Sequence, residues 1–266
     1  MSSYFRGKVV WITGASSGIG EALVHQLAQQ GAKLVISARN ADALNKVALS
    51  AALKPENYLI IPFDLADSSR VKEFAQQAID KFSRIDFLIN NGGMSQRSEA
   101  LRTTEEVERN LMEVNYFGHV ALTKAVMPHM IGTGGGHITV VSSIAGKFGF
   151  FLRSSYSAAK HALHGYFESL RLENEKNKIK VLMVCPGKIS TEISIKATRG
   201  DGSSNGAMDP SHINAVKPAE CAGEILKAIE KNKLEVFIGG KELWALRVRR
   251  FFPSFFYVFI RRQKPT

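Results

Sequence analysis

Val9-Val10-Trp11-Ile12-Thr13-Gly14-Ala15-Ser16-Ser17-Gly18-Ile19-Gly20 is the stretch on which the reading of this chain turns. Val9–Thr13 is a β-branched and aromatic run of strand length. The glycines that follow permit a tight turn, and a helical pattern then runs over 18–30 to Gly31. A glycine-rich turn between a first strand and a first helix lets a pyrophosphate approach the backbone, where the helix N-terminal amides stabilise its charge. The spacing is Gly-x-x-x-Gly-x-Gly rather than Gly-x-Gly-x-x-Gly, and such a turn can also be purely structural. Its place in the first strand–helix unit favours nucleotide binding. Gly14, Ser16, Ser17, Gly18, Ile19 and Gly20 are therefore candidate cofactor contacts.

Outward from that turn, short apolar runs alternate with helical stretches. Strands are expected at Leu34–Ser37, Tyr58–Phe63, Asp86–Asn90, His137–Val141, Lys180–Cys185 and Leu234–Ile238. Helices are expected around 41–53, 68–82, 104–130, 154–177 and 218–232. Strands of four to six apolar residues between helices indicate a parallel sheet covered on both faces. The expected fold is α/β, a single-domain doubly wound parallel sheet of Rossmann type. Residues 1–240 form the expected dinucleotide-binding domain. The Gly/Ser-rich stretch Arg199–Gly206, within 191–217, follows a strand's C-terminal end and reads as a flexible substrate lid or as a surface loop.

Composition sets the outer limits. A chain of 266 residues, 45% hydrophobic and 22% charged, can bury a full core. Cys185 and Cys221 make no disulfide framework and no metal-ligand spacing, so no metal is expected; Cys185 reads as a buried small hydrophobe. The first strand begins at Val9, leaving no room for a signal peptide, and no run of 18 apolar residues suggests a spanning helix. A cytoplasmic location follows as the expectation. The net charge of +11 is uneven: residues 241–266 hold seven basic groups and one acid, Glu242, or +6. That is a local basic tail rather than a nucleic-acid-binding body, and no nucleic acid partner is expected.

Two further sites carry chemistry. Where the second strand ends, an acid would bind ribose hydroxyls and repel a 2′-phosphate. Here the residues are Ser37-Ala38-Arg39-Asn40, without an acid. Arg39 offers a planar donor fork and Ser37 a hydroxyl, so NADP(H) is favoured over NAD(H). Farther on, Tyr156 and Lys160 stand four apart, on one face of a helix, with Ser143 thirteen residues before the tyrosine. An ammonium beside a phenol favours the phenolate, and a serine hydroxyl can orient a carbonyl beside it.

The glycine turn, Asn90-Asn91-Gly92-Gly93, Asn115, Ser143, Tyr156-x-x-x-Lys160 and Pro186-Gly187-Lys188-Ile189-Ser190-Thr191 occur in order. Over about residues 7–240 this pattern resembles the short-chain dehydrogenase/reductase family. The resemblance implies that Tyr156 is the acid/base and Ser143 holds the substrate oxygen. It further implies that Lys160 binds the nicotinamide ribose and lowers the tyrosine pKa, while Asn115 supports a water-linked relay. Asn40, Asp64, Leu65, Asn91, Gly92, Ile189 and Thr191 join the cofactor contacts on the same ground, although Asp64 could instead cap the helix near Ser68. The family's usual Asn-Asn-Ala-Gly is Asn90-Asn91-Gly92-Gly93 here, and the lost methyl is expected to loosen the cofactor wall slightly. A homo-oligomer, dimer or tetramer, is also implied.

The tail holds seven of the chain's 24 aromatics: Trp244, Phe251, Phe252, Phe255, Phe256, Tyr257 and Phe259. Flanked by arginines, they suit a membrane headgroup boundary. The alternative is a tail docked on the body or on a second subunit. This tail resembles the membrane-peripheral hydroxysteroid- and retinol-metabolising branch of the family, which implies a small lipophilic carbonyl or alcohol substrate. A 3-oxoacyl-type reductase and a non-catalytic dinucleotide-binding scaffold are the competing readings.

Overall fold

Alternation along each strand sends successive side chains to opposite faces of one sheet. In strand β1 (Val9–Thr13), Val9 and Trp11 join one buried cluster while Val10 and Ile12 join the other. A strand apolar at every position is thus a strand covered twice. The computed structural model describes residues 4–207, 209 and 215–262. Its seven-stranded sheet has the order β3-β2-β1-β4-β5-β6-β7, with every pair parallel.

The other strands are β2 (Lys33–Ser37), β3 (Tyr58–Ile60), β4 (Phe87–Asn90), β5 (Gly136–Val141), β6 (Ile179–Pro186) and β7 (Glu235–Ile238). Helices α1 (Gly18–Gln29), α2 (Ala41–Ser50) and α7 (Pro218–Glu230) cover one face, through residues such as Leu23, Leu27, Leu44 and Ile225. Helices α3 (Val71–Phe82), α5 (Gly118–Gly132) and α6 (Ser154–Glu173) cover the other with Phe74, Leu122, Val126, Leu163 and Phe167. The order reverses between β1 and β4, which opens a crevice at the strands' C-terminal ends.

Three elements differ from the sequence expectation. The helix expected over 104–130 is α4 (Glu105–Met112), a π-turn at Glu113–Phe117 and α5. The extra residue in that turn brings Asn115 inward, fully buried. Strand β3 stops at Ile60 because Pro62 has no N–H, although Ile61 and Phe63 still donate to Ile36 and Ala38. Helix α6 ends at Glu173, short of 177, and Lys178 turns back with φ of 56°.

The tail folds as α8 (Trp244–Phe251) and α9 (Pro253–Arg261), separated at Pro253. Phe256 is 1% exposed and packs edge-on to Phe148 with ring centroids 5.1 Å apart; Val248 is buried beside it. The inner face is therefore docked on the body. Phe251, Phe252, Phe255 and Tyr257 remain exposed on the other side, and Trp244 and Phe259 are partly exposed as well. No described helix is long and apolar enough to cross a membrane.

Candidate active site and cofactor cleft

The glycine turn works by close approach. A Cβ on Gly14 (φ 65°) would lie 2.6 Å from the Gly92 Cα, and one on Gly20 would lie 2.1 Å from the Gly14 carbonyl oxygen. These contacts seat α1 on the turn, with Ser17 at its N-terminus and no side chain capping its first amides. Thr13 Oγ accepts from the N–H of Asn91 and of Gly92, each at 3.0 Å, and the Asn91 amide donates to the Thr13 and Gly14 carbonyls. Gly14, Ser16, Ser17, Gly18 and Ile19 line a cleft of about 1240 Å³, together with Asn91 and Gly92. Gly20 lies beneath the turn and shapes it. The cleft fits a dinucleotide's pyrophosphate, because side chains at Gly14, Gly20 and Gly92 would fill or distort the cradle.

The lost methyl at Gly92 does not leave the loosened wall that the sequence suggested. A Cβ there would meet Leu65 Cδ1 at 2.5 Å, so the Leu65 side chain already takes that space. At the end of β2, Arg39 lies exposed, 4.0 Å from Asp64. Ser37 is buried and its hydroxyl oxygen accepts from the Trp11 indole at 2.9 Å, which takes one of its two lone pairs and leaves the proton to donate. Asn40 caps α2 by accepting from the Ala43 N–H. Asp64 accepts from the Ala66 N–H, while α3 begins only at Val71; the helix-capping alternative for Asp64 does not hold. Ile189 and Thr191 line the opposite wall, and Thr191 Cγ2 would be 3.1 Å from a Cβ on Gly18.

Ser143, at the end of β5, and Tyr156 and Lys160, on α6, meet in the same cleft. Ser143 Oγ accepts from the Ala145 N–H. Ser142 instead donates to the Lys160 carbonyl, so its hydroxyl is a strand-end tie to α6. Lys160 donates to the Val141 carbonyl at 2.9 Å, and its Nζ sits 5.9 Å from the centre of the Tyr156 ring. Burial lowers the Lys160 pKa to about 8. Burial also raises the Tyr156 phenol, opposed by a hydrogen bond with Ser143 and by the Arg153 charge. The Lys160 ammonium is turned to the Val141 carbonyl, on the tyrosine's side of the cleft. Asn115 holds both Met94 backbone groups, accepting from the N–H at 3.1 Å and donating to the carbonyl at 3.0 Å.

Several contributors lie outside the sequence pattern. Gln96, fully buried, accepts from the N–H of Ser155 and Tyr156 and so caps α6 under the tyrosine. His119 Nε2 donates to the Gly92 carbonyl at 2.8 Å; burial and the Lys160 charge hold its pKa at about 3, so the ring is neutral. Arg153 donates to Ser95 and to the Gln96 carbonyl. Glu242, the tail's one acid, accepts from the Lys188 N–H at 2.8 Å and fastens the tail to the Pro186-Gly187-Lys188 loop. None of these has a local signal, because each pairs segments far apart in the chain.

The lid segment is tied to the body. Thr198 donates its N–H to Ser95 and accepts from Arg97, and Gly200 accepts from Thr104. Within Arg199–Gly206, Arg199 pairs with Ser203 and Asp201 with Ser203. Part of the 191–217 stretch lies outside the described residues. The fold also gathers His164, Cys185 and Glu235 within 4.8 Å, a set of donors that sequence spacing does not reveal. The Lys147 ammonium already lies there, 2.6 Å from Glu235 and 3.2 Å from His164, and burial pushes the Cys185 thiol well above its ordinary value.

Comparison with known proteins agrees with this geometry. Residues 8–202 match the family described as short chain dehydrogenase. A dehydrogenase/reductase SDR family protein 7-like from Anopheles gambiae is 42% identical over 240 residues, covering 88% of this chain and 76% of that one. A metagenomic short-chain oxidoreductase in complex with NADP superposes with a TM-score of 0.73 at 27% identity, over 89% of this chain and 98% of that one. A short chain dehydrogenase/reductase from Burkholderia phymatum in complex with NAD gives 0.83 at 21% identity, over 100% and 98%, and shows the fold alone. The chain belongs to the short-chain dehydrogenase/reductase family of oxidoreductases.

Proposed function

We propose that this protein interconverts a carbonyl and a secondary alcohol on a lipophilic substrate, using NADP(H). The observation that carries the reading is the meeting of Ser143, Tyr156 and Lys160 in one cleft whose far end is the glycine turn. When bound, the nicotinamide supplies or accepts the hydride. Ser143 Oγ holds the substrate oxygen, and the Tyr156 hydroxyl gives it a proton in reduction or takes one in oxidation. Lys160 lies a turn further along α6, where its charge serves the ribose hydroxyls. Asn115 keeps the wall at Met94 in register.

NADP(H) is supported by the absence of an acid at the end of β2 and by Arg39 there. With a lipophilic ketone, NADPH is expected to be oxidised faster than NADH. Arg39→Asp is expected to move the kcat/KM ratio toward NADH by about 10- to 100-fold, the worth of one or two charge-assisted hydrogen bonds. An unchanged ratio removes the clamp, and no turnover with either cofactor across lipophilic ketones removes the function.

The lipophilic substrate is supported by Phe148, Phe150, Trp244, Phe259 and Ile260, which line the cleft's outer end. Trp244 and the α9 residues also belong to the helices whose outer side carries exposed aromatics and Arg247, Arg249, Arg250, Arg261 and Arg262. That outer side is proposed to rest on an anionic lipid surface. Flotation with anionic vesicles, lost on Phe251→Ser/Phe255→Ser, is the expected result. A shift to a concentration-dependent dimer without flotation would assign the face to a second copy instead.

A further inference from the structure

Arg153 is the last residue before α6, three positions ahead of Tyr156, and lines the cleft beside it. Among the described residues, both of its side-chain hydrogen bonds leave from Nη1, to the Ser95 hydroxyl and the Gln96 carbonyl. Those two bonds suffice to clamp the loop after β4 to the start of α6. They leave the Nε–H and the two Nη2–H, the edge of a guanidinium that takes a carboxylate or phosphate in a fork. Among the described residues no carboxylate lies within ion-pairing distance of this group.

The surrounding charges do not cancel it. Tyr156 and Asp209 are the acidic groups whose charge reaches Arg153: burial raises the Tyr156 phenol and keeps it protonated, and Asp209 is held by Arg97 at 2.8 Å with both partners largely buried. Arg97 and Asp209 together sum to zero, and Arg97 repels Arg153. On α4, Glu108 accepts from the Ser155 hydroxyl. A partly buried guanidinium with no counter-ion among the described residues is costly unless something else supplies the negative charge.

We infer that Arg153 is a specificity-determining residue that binds an anionic group, carboxylate or phosphate, carried by the substrate near its reacting carbonyl. The substrate class is then an amphiphile: an anionic head at Arg153, the carbonyl at Ser143 and Tyr156, and an apolar chain along Phe148, Phe259 and Ile260. This inference deepens the proposed carbonyl–alcohol chemistry and rests on it.

The test compares matched long-chain ketones. A 3-oxo carboxylate is set against its methyl ester, and a ketone bearing a phosphate monoester against the corresponding neutral triester. Turnover with NADPH and binding by calorimetry are measured in parallel. The expected result is a preference of about 10- to 100-fold for the anionic member of at least one pair, the worth of a charge-assisted hydrogen bond or two. The pair that shows it identifies the anion. In Arg153→Met the anionic-to-neutral ratio falls to near one; in Arg153→Lys a point charge keeps part of it. The ratio is the decisive reading, because a lost clamp or a shifted Tyr156 pKa would lower both members of a pair together. Equal binding of charged and neutral members, or an unchanged ratio in Arg153→Met, overturns the inference. Anion-selective binding without turnover upholds it and removes the oxidoreductase reading alone.

Discussion

Tyr156→Phe is expected to lower kcat by about 100- to 10,000-fold, the usual worth of a positioned acid/base, with the NADPH dissociation constant within a few-fold of the parent. The substitution removes one oxygen and keeps the ring that packs beside Lys160. The oxygen's hydrogen bond is with Ser143, inside the same site, and Gln96 caps α6 through the Tyr156 N–H, which phenylalanine retains. The loss therefore falls on proton transfer and not on the cradle for the dinucleotide. Stopped-flow hydride transfer and fluorescence titration with NADPH separate the two quantities. A variant with parental turnover would take Tyr156 out of the mechanism, and one that no longer binds NADPH would make the residue structural.

Gly20→Ala is expected to destabilise the protein by about 1–3 kcal/mol, the ordinary range for overpacking. For a chain of this size that is a fall in Tm of roughly 2–10 °C. The added methyl would lie 2.1 Å from the Gly14 carbonyl oxygen and 2.7 Å from the Asn91 amide nitrogen. Neither can move aside by changing rotamer: one is backbone, and the other is tied to the Thr13 and Gly14 carbonyls. Helix α1 must lift from the turn, so NADPH affinity falls with stability. Gly132→Ala is the control, since a Cβ there meets nothing within 4 Å and alanine is the better helix former. Thermal unfolding of both variants decides the matter; equal Tm values would mean that the close approach of α1 to the turn carries no energy.

These two residues were both legible in the sequence, for the same reason. Gly20 follows a strand-length apolar run at a spacing that only a strand–turn–helix satisfies, and Tyr156 stands one helical turn from Lys160. Both are local patterns, set by chain geometry within a few residues. The sheet was legible in the same way, because parallel strands covered on both faces must be apolar throughout.

Asn115 shows where local reading stops. Its place in a helix was evident, but the π-turn that carries its side chain to Met94 interrupts no periodic pattern strongly enough to be seen. Gly92 shows a second limit: the missing methyl was visible, but the Leu65 side chain that takes its space comes from a loop 27 residues earlier. The tail shows a third. Its aromatics and arginines were plain, yet only packing divides them into a face docked by Phe256 on Phe148 and a face left in solvent.

By itself the sequence determined the doubly wound sheet and the glycine turn, because both follow from short-range spacing and strand burial; the Ser143, Tyr156 and Lys160 set was legible there only through its resemblance to a family pattern. The tertiary structure alone decided that Gln96 supports the tyrosine's helix, that Glu242 fastens the tail to the Pro186-Gly187-Lys188 loop, and that Arg153 lines the cleft with no counter-ion among the described residues. Those are long-range pairings of polar groups. Their energy depends on which partners burial brings within hydrogen-bond distance, and no local pattern along the chain encodes that distance.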